Sequence, residues 1–217
     1  MMHVKICGLK HVDMIDVAID AGADHVGFVH FARSPRHLEL DSIRRLGRHA
    51  GKRAMRWVVL ASPSDETLRA CAALHGDIDG LQIHGRSNDA LINEISAGPS
   101  SLEIMRAYSV ASREDVEGAD LQCQASHLLF DARPRPDDKL PGGNGASFDW
   151  QIMDALDMAA LAGRPWFLAG GLNAGNVADA IAQSGAGAVD VSSGVEREPG
   201  VKDAALIAQF VRAAKSL

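Results

Sequence analysis

Short apolar runs alternate with longer amphipathic stretches along the whole of this chain. Runs rich in Val, Ile, Leu and aromatic side chains, bounded by polar or glycine-bearing segments, read as strands. They fall at residues 3–6, 25–31, 54–61, 80–84, 102–107, 127–131, 166–169 and 188–191. Apolar residues at helical spacing predict helices over 12–21, 40–49, 65–74, 90–96, 150–162 and 173–184, and a closing helix over 201–214. Residues 112–123 carry a weak signal and are read as helical only from the rhythm of their neighbours.

Strands that alternate with helices pair in parallel, because each return crossover needs a helix. The runs WVVL, LQI, HLLF and WFLA are apolar on both faces, as strands buried within a parallel sheet should be. Eight such units in 217 residues favour a closed barrel. The structural rival is a doubly wound open sheet, but its G-x-G-x-x-G fingerprint is missing after the first strand. With no interior linker, charge run or low-complexity segment, the expected architecture is α/β, a single-domain (β/α)8 TIM barrel over residues 1–217.

A net charge of −6 gives no nucleic-acid footprint and no polybasic membrane surface. An anionic substrate would therefore need a local positive site. Cys7, Cys71 and Cys123 form no C-x-x-C pair, so neither a disulfide framework nor a zinc knuckle is indicated. The nine histidines show no metal-site spacing. The expectation is no metal and no cofactor. The amino terminus carries no signal-peptide pattern, and a cytoplasmic location is expected.

Barrel enzymes of this kind carry their chemistry at the carboxyl ends of the strands. Those ends offer Cys7, Phe31 followed by SPR, His84, Tyr108, Asp131, the pair Gly170 and Gly171, and Ser192, Ser193 and Gly194. The two glycine-bearing ends follow consecutive strands, where backbone N–H groups can cradle a phosphate. Alone, either could be a tight turn, with Asn173 a helix cap. Cys7 shares a strand face with Lys5, whose ammonium should lower the thiol's pKa and make it a general base. The alternative is a small buried hydrophobe, the role expected of Cys71. Asp131 could cap its loop. However, a long glycine-bearing connection follows, and a carboxyl group desolvated beneath such a lid suits a general acid. Arg36 is either an exposed surface cation or a bidentate grip for a carboxylate. His84 and Gln82 share a face, as pocket lining or as a satisfied interior pair.

Taken in order, KICGL, SPRHLEL, LQIHG, LLFDARP with PGGNGASFDW, AGGLNAGNV and VDVSSGVEREPGVKD resemble the phosphoribosylanthranilate isomerase family, from residue 4 to residue 203. The resemblance implies an Amadori rearrangement of N-(5-phosphoribosyl)anthranilate in tryptophan biosynthesis. It casts Cys7 as general base, Asp131 as general acid and Arg36 as the anthranilate-positioning arginine. The phosphate site falls at Gly171 and Gly194, and the expected substrate-contacting set is Arg36, His84, Gly171, Asp190, Ser193 and Gly194. The implied partner is a small phosphorylated substrate, with no nucleic acid and no membrane, and the protein is a monomer or a homodimer. Three places depart from the family pattern: Asn144 stands where threonine is frequent, HFARSPR is poorer in proline, and HGRS lacks the usual acidic residue. The rivals are another phosphosugar isomerase or epimerase on the same barrel, a bifunctional isomerase that would call for aspartate at position 7, and a non-catalytic phosphate sensor. Finally, strand eight neighbours strand one in a closed barrel, so Lys5 and Asp190 could pair inside it and tune Cys7. A purely structural ion pair is the alternative.

Overall fold

The computed structural model describes residues 2–98, 102–134, 145 and 147–216. Eight strands close into a barrel in chain order. They are β1 (His3–Cys7), β2 (His25–Val29), β3 (Met55–Ala61), β4 (Gly80–His84), β5 (Glu103–Val110), β6 (His127–Ala132), β7 (Trp166–Leu168) and β8 (Ala188–Val191). Every neighbouring pair is parallel, and β8 closes onto β1 with Lys5 in register with Asp190. All eight predicted strands are present, with ends shifted by a few residues. The second stops at Val29, two residues before Phe31.

The helices are α1 (Val12–Asp20), α2 (Leu40–Ala50), α3 (Asp65–Ala72), α4 (Asp89–Ala97), α5 (Arg113–Glu117), α6 (Val177–Ser184) and α7 (Ala204–Lys215). Side chains that accept from the first-turn N–H groups start several of them: Ser64 takes Thr67, Asn88 takes Leu91, and Asp203 takes both Ala205 and Leu206. None of the described helices is long and apolar enough to cross a membrane.

Four helix predictions need correction. The segment predicted helical over 150–162 forms only a 3-10 turn, Trp150–Ala155, which ends where Leu156 turns extended. Asp157 then accepts from Ala159 and Ala160 and starts a separate turn. The weak 112–123 segment holds five helical residues. The helix expected from 173 begins at Val177, because Asn173 and Asn176 spend their side chains on the turn before it. The closing helix begins at Ala204 rather than 201. Val201–Lys202 is instead β10, antiparallel to β9 (Glu196–Glu198) in a small hairpin.

Strand alternation sorts side chains into two cores. One parity faces the helices and forms the large outer core, including Ile6, Val26, Phe28, Leu60, Leu81, Phe130 and Val189. The other fills the barrel interior with Trp57, Met105, Leu129, Phe167 and Ala188. At the amino-terminal floor of the barrel, the Trp57 indole donates to His25 Nδ1 at 3.1 Å. Burial, together with the Lys5 ammonium, pushes the His25 imidazole down to about 3. At the opposite end, the interior parity delivers Cys7, His84, Asp131 and Asp190 to one mouth.

Candidate active site

The carboxyl-terminal strand tips surround a cavity of about 70 Å³ that opens to solvent. Cys7, Arg36, Gln82, His84, Asp131 and Asp190 line it, beside an apolar wall of Val29, Phe31 and Val59. Cys7 and Asp131 thus face one space from β1 and β6, with β7 and β8 between them around the barrel. Tyr108, also named from sequence as a strand end, is not part of this lining. It points outward, donating to the Asp120 carbonyl and stacking on Phe130.

Two residues before Cys7, Lys5 is fully buried, and its Nζ lies 2.9 Å from Asp190 Oδ1. Gly27 sits in register with Cys7 on β2. A Cβ there would come within 3.1 Å of the Cys7 sulfur and 3.2 Å of Lys5 Nζ, so glycine leaves the space where thiol and ammonium converge. Burial tends to lower the Lys5 pKa, but the Asp190 carboxylate and Cys7 outweigh it and hold the ammonium charged. The thiol departs from the sequence expectation. Burial pushes it above its ordinary value, further than Lys5, with help from Lys202 and Arg36, draws it back. The ammonium acts as expected, but desolvation is the larger effect.

Asp131, 7% exposed, behaves as the sequence suggested. Burial first, and the Asp190 carboxylate second, push its carboxyl group up to about 7, against a backbone hydrogen bond and Lys5. An acid with that pKa can hold and release a proton near neutral pH. The long glycine-bearing connection that follows Asp131, read from sequence as a lid, lies mostly outside the described residues, as does Asn144.

On β4, Gln82 Nε2 and His84 Nε2 are 2.9 Å apart. Burial, with Lys5, drives His84 down to about 4, so the imidazole is neutral at physiological pH. Gln82 Oε1 has no hydrogen-bond partner among the described residues. A buried acceptor left in this state favours a ligand that brings a donor.

Arg36 is not the exposed surface arginine that sequence left open, being only 4% exposed. Its Nε and Nη2 grip Glu196 in bidentate fashion at 2.7 and 2.8 Å. Lys202 Nζ reaches the same carboxylate at 2.7 Å and the Ser192 carbonyl at 2.9 Å. Sequence reasoning assigned no role to Glu196 or Lys202. The available signal was the PG turn in EREPGVK, which marks a hairpin that would pair the two residues.

The glycine-bearing loops after β7 and β8 meet. Gly170 and Gly171 have φ of +91° and +63°, which turns the chain sharply out of β7. Gly194 lies in a 3-10 turn, Ser193–Val195, against the preceding loop. A Cβ on it would fall 1.9 Å from the Leu172 carbonyl oxygen. Gly171, Ser193 and Gly194 stand beside the cavity rather than among its lining residues, and Ser192 bridges the two regions through its bond to the Cys7 carbonyl. Among the described residues, no group of His, Cys, Asp or Glu is arranged to hold a metal ion.

A closed parallel barrel with an acid of raised pKa, a thiol beside an ammonium and two apposed glycine turns at its mouth defines a β/α-barrel enzyme of proton-transfer chemistry. The family model described as N-(5'-phosphoribosyl)anthranilate (PRA) isomerase matches residues 4–213. Relatives named N-(5'-phosphoribosyl)anthranilate isomerase include one from Beijerinckia indica, 44% identical with 98% of this chain and 93% of its own length covered. Another, from Nitrobacter winogradskyi, is 46% identical with 98% and 92% covered. A phosphoribosyl anthranilate isomerase structure from Thermotoga maritima superposes with a TM-score of 0.83 at 32% identity, covering both chains fully. A phosphoribosyl anthranilate isomerase solved with reduced 1-(o-carboxyphenylamino)-1-deoxyribulose 5-phosphate gives 0.80 at 30% identity, again over both full chains. The chain belongs to the N-(5'-phosphoribosyl)anthranilate isomerase family, the isomerases of tryptophan biosynthesis.

Proposed function

We propose that the chain, as one catalytic domain over residues 1–217, rearranges N-(5-phosphoribosyl)anthranilate with Asp131 as general acid and Cys7 as general base. Asp131 gives its proton to the furanose ring oxygen. The C1–O bond breaks and the anilino nitrogen's lone pair forms a C1=N iminium. The Cys7 thiolate then takes the proton from C2. That C–H electron pair becomes a C1=C2 double bond, and the iminium electrons return to nitrogen, leaving an enolamine. Loss of the C2 hydroxyl proton and protonation at C1 give the ketone, 1-(2-carboxyphenylamino)-1-deoxyribulose 5-phosphate. The product is an isomer of the substrate, so no electrons enter or leave.

The observation that carries this reading is the convergence on one cavity of a carboxyl group with a pKa of about 7 and a thiol beside a charged lysine. Gly171, Ser193 and Gly194 would take the phosphate, and Arg36 the anthranilate carboxylate. Neutral His84, with Gln82 and Asp190, would face the sugar hydroxyls. All three cysteines are free, which suits a cytoplasmic enzyme. The Thermotoga maritima enzyme is described as dimeric, and a monomer or a homodimer fits this chain.

The test generates the labile substrate in situ and follows the loss of anthranilate-type fluorescence. Wild type turns over. Cys7→Ser and Asp131→Asn each lose at least about a hundredfold in rate, the low end for general acid–base groups. Full rate in both variants would refute the role assignments.

A further inference from the structure

The bond network behind Arg36 is more complete than a surface ion pair. The side chains of Arg36, Glu196 and Lys202 are 5%, 3% and 2% exposed. Glu196 Oε1 accepts from Arg36 Nε and Lys202 Nζ, while Oε2 accepts from Arg36 Nη2 and the Gly200 N–H at 3.0 Å. Glu196 and Lys202 are also cross-strand partners in the β9–β10 hairpin. The hairpin turn lies on the loop that carries Arg36: a Cβ on Gly200 would stand 2.6 Å from the Pro35 carbonyl oxygen. Lys10 Nζ bonds the same carbonyl at 3.0 Å.

We propose that Glu196, itself held by Lys202, is a positioning residue that aims Arg36 into the cavity and thereby sets the enzyme's preference for a substrate whose aromatic ring bears a carboxylate. The proposal rests on the reading of Arg36 as the carboxylate contact. An arginine left to itself samples many rotamers, and ordering it on binding would cost affinity. The Glu196 fork orders it beforehand. Within this buried group Arg36 and Lys202 both hydrogen-bond the Glu196 carboxylate, so the direction of the guanidinium is set before any ligand arrives. A ligand carboxylate entering the cavity meets a preorganised charge at no reorganisation cost. Glu196 touches no reacting atom, so its effect should appear in discrimination rather than in the chemical step.

The experiment measures, by calorimetry, binding of reduced 1-(o-carboxyphenylamino)-1-deoxyribulose 5-phosphate and of its counterpart made from aniline, which lacks the ring carboxylate. Wild type should prefer the carboxylated probe by at least about tenfold, the scale of one charge-assisted hydrogen-bond pair. Glu196→Gln keeps the shape and removes the charge. It should shrink that preference to within about threefold while leaving the aniline probe within about twofold of wild type. Thermal unfolding checks that the variant is folded. If it is not, Lys202→Met, which removes the bond that holds Glu196, should reduce the preference in the same direction. An unchanged preference in the folded variant, or equal weakening of both probes, would overturn the proposal, because a merely structural role moves both alike. Arg36→Met separates the two layers of argument. If it retains the wild-type preference, the Arg36 reading falls and the proposal with it. If it abolishes the preference while Glu196→Gln keeps it, only the proposal falls.

Discussion

Lys5 on the first strand and Asp190 on the eighth form an ion pair of 2.9 Å across the seam that closes the barrel. Asp190 raises the pKa of both Cys7 and Asp131, and Lys5 lowers both. Asp190→Asn should therefore move the Cys7 titration downward, read as the midpoint of pH-dependent alkylation. An unmoved midpoint would leave the pair a structural one. The same change strands a buried ammonium, so stability should fall by about 3–5 kcal/mol.

The pH–rate profile should carry an unusual order of protonation. The reactive form holds a proton on Asp131 and none on Cys7, yet the carboxyl group titrates near 7 and the thiol above its ordinary value. That form is a tautomer of the singly protonated pair. Consequently kcat/KM should rise with unit slope through about pH 7, plateau on the alkaline side, and fall only as the thiol is lost. In Asp131→Asn the limb near 7 should vanish. A wild-type profile already falling through pH 7 would contradict this ordering.

Asp131 also imposes a cost on the fold. An aspartate titrates near 4 in an unfolded chain and at about 7 here, so the native state holds the proton more tightly. The stability this brings is complete below about pH 4 and is lost as pH rises to 7, at about 1.4 kcal/mol for each pH unit of difference. Asp131→Asn should consequently be more stable than wild type at pH 8, with the gain shrinking toward pH 4. Denaturant melts at the two pH values would show it, and an equal gain at both would argue against the raised pKa.

Gly194→Ala tests the apposition of the loops after β7 and β8. The new methyl group would collide with the Leu172 carbonyl, a backbone atom that cannot swing aside. The loops must part, at about 1–3 kcal/mol of overpacking. Inhibition by inorganic phosphate should weaken and KM should rise while kcat changes little. Unchanged phosphate inhibition would place the phosphate elsewhere.

The parts of the site visible in sequence were those set by strand alternation and by barrel geometry. Cys7 and Asp131 are inward-facing strand tips, and a period of two plus the rule of carboxyl ends is enough to find them. Lys5 and Asp190 followed from closure alone. Arg36 was found, but not its partner, because Glu196 lies 160 positions away on a hairpin whose apolar Val201 reads as the start of a helix. The 150–162 segment has helical spacing, yet aspartates that cap local turns break it into pieces. The net direction of the Cys7 shift depends on depth of burial, which residue types do not disclose. Lys5 identifies one contribution and says nothing of the larger, opposing one.

The seam has a consequence for the newly made chain. Cys7 is surrounded by residues 190, 192 and 202, which are remote from it in sequence. Until those segments dock, the thiol lacks the Asp190, Ser192 and Lys202 neighbours that set its environment. Closure of the eighth strand onto the first is thus also the folding step that encloses this sulfur.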